Sequence, residues 1–184
     1  MSSEKEERIL KAARDVFARY GYVRTTMADV AKAAGISRPA LYLVFPKKEE
    51  LFGAVIHRMN DDIFERIHAQ LAAHKTLEQK LTLGFELWVG QSFDLAYSSP
   101  DARDLFEYEN PAMQEVAAEF QAFLADLLRE AVRASTLKVT PEELAQALLF
   151  AVHGFKTVAK DGADLRRMIA IQISLTIAAL NASV

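Results

Sequence analysis

Gly35 separates two short runs that each carry their own helix start signal, and this spacing limits the local fold to very few choices. Thr26, with Asp29 three residues on, is placed for a capping box of reciprocal hydrogen bonds. Met27, Val30, Ala31 and Ala34 recur at three- and four-residue intervals and share a buried face. Gly35 follows where a helix end calls for a left-handed residue, which glycine adopts without steric cost. Ile36 plugs the space between the helices. Ser37 is a good cap for the next helix, and Pro39 sits in its first turn, where a missing N–H costs little. Leu41 and Phe45 are four apart and face inward. Arg38, Ala40, Tyr42, Leu43 and Val44 are then shared between the outward face and its edges. Paired helices of this kind present one to the DNA major groove while the other crosses behind it. An ordinary helical hairpin has the same spacing, so spacing alone leaves the two readings level.

Charge separates them. Residues 1–60 hold 11 Lys+Arg against 7 Asp+Glu, whereas residues 61–184 hold 11 against 18. A basic N-terminal third on an acidic remainder suits a small module that touches phosphates, attached to a body that does not.

The first fifty or so residues resemble the N-terminal domain of TetR-type (TetR/AcrR) bacterial transcriptional regulators. The resemblance runs from the helix Ile9–Tyr20, ending at Gly21-Tyr22, through Thr25-Thr26-Met27 and Ile36-Ser37-Arg38-Pro39-Ala40-Leu41-Tyr42. It continues to Phe45 and Lys48-Glu49-Glu50-Leu51-Phe52. It implies that Thr26 contacts a DNA phosphate, although capping alone also accounts for a threonine there. It gives Tyr42 and Lys48 phosphate contacts as well. Lys47 and Lys48 lie near a helix N-terminus, where a cation opposes the macrodipole and an anion is favoured; Glu49 and Glu50 offset part of that conflict. Ser37, Pro39 and Ala40 complete the expected DNA-facing set.

The chain also departs from the family pattern. Leu43 and Val44 stand where many members carry a further aromatic and then histidine or tyrosine. Neither can donate to a base edge, so direct readout falls to Arg38 and to apolar contacts. Arg38 can pair with a guanine or simply hold a phosphate, and Ala40 or Leu43 can touch a thymine methyl. Pro46 and Lys47 replace more usual small or polar residues at the next helix start.

At 184 residues and 51% hydrophobic content, the chain can bury a small domain and a larger one. With no cysteine, disulfides and thiolate metal sites are excluded, as suits a cytoplasmic protein. The N-terminus has no apolar signal core. Met168–Val184 is apolar, but Gln172, Ser174, Thr176 and Asn181 interrupt it, so a buried or subunit-facing helix is expected there rather than a membrane span.

Beyond residue 46 the pattern is helix after helix, without strand alternation. The expected fold is all-α, with a helix-turn-helix DNA-binding domain over 1–46 and a helical effector-binding and dimerisation domain over 47–184. Helices are expected from about Lys47 to His74 and from Leu77 to Ala96. A short helix follows around Ala102–Tyr108, and a long one runs from Pro111 to near Thr136. The next runs from Pro141 to about Lys160, where Asp161-Gly162 stops it, and a last helix fills most of the remainder.

The last two helices carry apolar residues over a wide arc: Leu144, Leu148, Ala151, Val152 and Phe155 on one, and Ile169, Ile173, Leu175, Ile177 and Leu180 on the other. A monomer's surface helix needs a narrower stripe. The arc suggests a two-fold interface forming a four-helix bundle with a second copy, unless both helices complete the monomer core. Two subunits would set two recognition helices about one DNA turn apart on a palindromic operator.

The middle helices are rich in aromatics, most of them expected in the core. The resemblance implies an apolar effector pocket among these helices, with Trp88 and Phe123 as candidates and His57, Gln91 and His153 as polar contacts. The leading reading is a ligand-released homodimeric repressor, with no cofactor and no metal. A regulator of the same fold without small-molecule input is the alternative. An all-helical metal-dependent enzyme is disfavoured, because the histidines lack the i, i+4 pairing with an intervening acid and no nucleophile turn is present.

Overall fold

The computed structural model describes residues 4–90, 93 and 111–182, and among these every regular element is helical. Helix α1 (Glu4–Arg24) carries Glu4, Glu6 and Glu7 in its first turn, where carboxylates favour the macrodipole. Its buried residues Ile9, Leu10, Ala13, Val16 and Phe17 follow helical spacing. The helix is broken at Gly21, whose φ of 77° and ψ of 169° are essentially glycine-only. Helix α2 (Met27–Ala33) and the short α3 (Arg38–Tyr42) follow, joined through Gly35 at φ 65°. Nothing lies within 4 Å of where a Cβ on Gly35 would sit. The cost of Gly35→Ala is therefore conformational: we expect about 1 kcal/mol of lost stability, read as a lower midpoint in urea.

Helix α4 (Lys48–Leu71) is long and uninterrupted. Helix α5 (Leu77–Phe85) opens on a Thr76/Gln79 capping box and passes into a π turn, Glu86–Gly90. Helix α6 (Pro111–Ala134) buries Val116, Phe120, Leu124, Leu128 and Val132 along one stripe. Helix α7 (Pro141–Val158) opens on a Thr140/Glu143 capping box with Pro141 in its first turn. Helix α8 (Gly162–Asn181) is capped by Asp161, whose side chain accepts from the Asp164 N–H at 2.8 Å. Asp161-Gly162 thus starts a helix rather than stopping one. The rest of the expected Leu77–Ala96 helix, apart from Phe93, and the one expected around Ala102–Tyr108 lie outside the described residues.

The described residues pack as two compact units, 4–62 with 111–116, and 63–90 and 93 with 117–182. The first unit includes the first half of α4. Its core joins Ile9, Phe17, Val30, Leu41, Leu51 and Phe52. The second unit centres on Ile67, Leu81, Phe85, Phe120, Leu124 and Leu148. In it the Arg166 Nε donates to both carboxylate oxygens of Glu86, at 3.0 and 2.9 Å, tying α8 to the π turn. No helix among the described residues is long and apolar enough to cross a membrane.

The expected interface residues are largely covered within the single chain. Leu148, Val152, Ile169 and Ile173 are at most 6% exposed within this one chain, so a partner has little of them left to cover. Leu144, Phe155 and Ile177 are half-buried. The apolar side chains that α7 and α8 leave exposed are Phe150 (47%), Val158 (66%), Ile171 (49%) and Leu175 (60%). Both helices are apolar over more than one stripe, and the inner stripe belongs to the subunit's own core.

Candidate nucleic-acid interface

The turn into α2 is fixed by its cap. The Thr26 N–H donates to the Asp29 carboxylate at 3.0 Å, and the Asp29 N–H donates back to the Thr26 hydroxyl oxygen at 3.3 Å. The Thr26 hydroxyl also donates to the same carboxylate. These bonds hold the Asp29 carboxyl below the usual carboxylate range. Both residues are exposed where α2 begins. Thr26 therefore caps, as expected.

Ser37 caps α3, its hydroxyl accepting from the Ala40 N–H at 3.3 Å. Leu41 is fully buried and Phe45 nearly so, which anchors one side of the helix. The opposite side carries Arg38, Pro39, Tyr42 (41% exposed) and Leu43 (85% exposed), with Ala40 and Val44 half-buried at its edges. Among the described residues Arg38 has no carboxylate partner and the Tyr42 hydroxyl no hydrogen bond. Lys47 is exposed and only 3.9 Å from Glu50. A short convex helix thus offers a guanidinium, a phenol and a bare aliphatic side chain outward.

Lys48 has partners within its own unit. Its ammonium donates to the carbonyls of Tyr22 (2.9 Å), Thr25 (3.1 Å) and Val23 (3.5 Å), and lies 4.2 Å from the centre of the Tyr22 ring. The cation at the start of α4 therefore serves the negative end of α1, where open carbonyls gather. Tyr22 completes the joint. Its hydroxyl donates to Glu49 at 3.1 Å, and its ring meets Phe52 at 4.6 Å. Burial, with Glu49 beside it, pushes the phenol up to about 12. The Thr25 hydroxyl, 2% exposed, donates to the Gly21 carbonyl at 2.7 Å. Tyr22 and Thr25 belong to the motifs of the resemblance, but their part in this joint is not visible in the sequence, because their partners lie 27 residues away or at a kink.

The expected effector residues fall in both units. His57, in the first unit, meets Glu115 at 2.9 Å. Trp88, in the second, stacks flat on Phe120 at 4.4 Å, and Phe123 lies 5.9 Å from the same ring. His153 is half-buried on α7, and Gln91 lies outside the described residues. Among the described residues no three His, Asp or Glu side chains converge on a point that could hold a metal ion.

Residues 9–55 match the family of bacterial regulatory proteins, tetR family. The HTH-type transcriptional activator FasR of Mycolicibacterium smegmatis is 32% identical over 117 residues, covering 63% of this chain and 52% of that protein. The chain thus matches about half the length of that relative. The HTH-type transcriptional repressor ComR of Escherichia coli is 27% identical over 177 residues, covering 88% of this chain and 82% of that protein. In fold, the chain is similar to a transcriptional regulator of Saccharomonospora viridis in complex with choline. The TM-score is 0.66 at 21% identity, over 94% of this chain and 97% of that one.

Proposed function

Because the chain belongs to the tetR family of bacterial regulatory proteins, through its N-terminal domain, we propose that it acts as a homodimeric repressor of a palindromic operator. The observation that carries this reading is the outward face of α3, where Arg38, Tyr42 and Leu43 project while Leu41 and Phe45 hold the helix from behind. In this reading α3 enters the major groove, Tyr42, Thr26 and Lys47 reach phosphates, and Arg38 and Leu43 meet base edges.

The dimer forms through the outer stripes of α7 and α8. Ala147, Phe150, Gly154 and Val158 share one edge of α7, while Ile171, Leu175 and Ala178 share one of α8. The small residues allow close approach, and a Cβ on Gly154 would meet nothing within 4 Å. A small apolar or amphipathic effector then lowers operator affinity by binding the DNA-incompetent arrangement more tightly, since equal affinity shifts nothing. The choline bound by the Saccharomonospora viridis protein and the Trp88–Phe120–Phe123 cluster support an input of this kind. The similarity to FasR, an activator, favours a second reading in which the same DNA contacts recruit rather than block transcription. Transcription from the bound promoter, with and without the protein, separates the two.

Tyr42→Phe removes one hydroxyl from an exposed position. It is expected to weaken binding to all duplexes alike and to lower the salt dependence by about one phosphate contact. Arg38→Ala is expected to cost about 1–3 kcal/mol on the preferred operator and to relax the choice of base at one position. Selection of genomic fragments by the purified protein, followed by titration at several salt concentrations, measures both. Failure to retain any duplex at low salt would overturn the reading.

A further inference from the structure

Helices α1 and α4 also flank a half-open groove of about 410 Å³, within the volume range of small-molecule sites, that the DNA-binding surface does not use. Its apolar wall is formed by Leu10, Val55 and Met59, the first two buried and the third half-buried. Its charged wall is unbalanced. Arg58 is matched by Glu7 at 3.5 Å and Asp62 at 3.1 Å, and Arg14 by Asp15 at 3.2 Å. Arg8 and Lys11, both exposed at the same groove, have no carboxylate partner among the described residues. Because Arg58 holds two carboxylates, the four cations and three carboxylates here leave a net charge of +1, carried on the Arg8 and Lys11 side beside an apolar wall, which complements one kind of small ligand.

We propose that this groove binds an amphipathic organic anion, a carboxylate or phosphate monoester on a short apolar tail. The head lies between Arg8 and Lys11 and the tail against the half-buried Met59, with the buried Leu10 and Val55 behind it. Charge-assisted hydrogen bonds hold the head, and loss of water from the apolar wall holds the tail. Because the ligand touches both helices, it braces α1 against α4. The site requires neither an operator nor a second subunit, so it stands or falls separately from the regulator reading.

The test uses the full chain with isotope-labelled methionine methyl groups, the Met59 signal being assigned through Met59→Leu. Octanoate, octyl phosphate, octanol and inorganic phosphate are titrated in turn. The expected result is a saturable shift of Met59 with octanoate, octyl phosphate or both, while Met27 and Met168 stay in place. Which of the two binds more tightly identifies the head group. Octanol and inorganic phosphate are expected to bind at least about tenfold more weakly, because each lacks half of the complement. Arg8→Glu combined with Lys11→Glu, at two exposed positions, is expected to weaken the better amphiphile by about tenfold or more. The proposal is overturned if neither amphiphile moves Met59, if octanol or inorganic phosphate matches the amphiphiles, or if the double variant binds unchanged.

Discussion

A Phe150→Asp, Leu175→Asp double variant will sediment as a monomer and lose about a thousandfold in operator affinity, the gain that two coupled half-sites provide. Both side chains are about half exposed or more in the single chain, so the substitutions leave the subunit's own core intact. In the proposed dimer each is covered by the partner. Burying a large apolar side chain contributes about 1.5–3 kcal/mol, and two-fold symmetry counts each one twice. An unpaired carboxylate in the same place must instead be desolvated. Unchanged helical circular dichroism shows that the fold survives, and sedimentation equilibrium reads the association state. Leu148→Ala provides the contrast. That residue is 1% exposed, so its truncation is expected to lower stability by about 2–5 kcal/mol through a cavity while leaving the exposed stripes in place. If the double variant remains a dimer, the outer stripes are not the interface.

Lys48→Met will loosen the first unit without changing the salt dependence of DNA binding. The substitution keeps most of the aliphatic stem and removes the ammonium that now satisfies three carbonyls at the end of α1. Losing a charged donor to these groups, together with its position over the Tyr22 ring, is expected to cost about 2 kcal/mol in urea unfolding. Operator affinity falls as well, because α1 and the start of α4 no longer hold α2 and α3 in a fixed pose. A direct phosphate contact has a different signature, a salt slope lower by about one with little loss of stability. Measuring both quantities on one variant separates a clamp from a contact. Tyr22→Phe provides a check on the same joint. The Tyr22 phenol titrates higher when folded than when unfolded, so its contribution is complete below its unfolded value near 10. That contribution is lost as pH rises toward about 12, and the phenylalanine variant lacks this part of the alkaline decline.

The helix-turn-helix was legible because its joints need particular residues. Thr26 with Asp29, Gly35, Ser37 and Pro39 each serve a local requirement, and each sits in the structure where that requirement arises. Long helices from α4 onward were legible for a related reason, since apolar spacing and Pro111 or Pro141 mark their course. Periodicity could not say which of two apolar stripes on α7 and α8 faces inward. That depends on α5 and the π turn packing against α8, an association between distant segments. The role of Lys48 was hidden in the same way. Its partners are backbone carbonyls 23 to 26 residues earlier, exposed to it only because α1 breaks at Gly21.

If Leu43 meets a thymine methyl, as in the proposed reading, its bare aliphatic tip makes the protein sensitive to chemical modification of the genome. A side chain that senses only a methyl group in the groove cannot tell thymine from 5-methylcytosine, since both project the same carbon at the same ring position. Uracil substituted for the contacted thymine would act as a deletion of that signal. Conversely, enzymatic cytosine methylation could create binding sites in sequences that otherwise lack them.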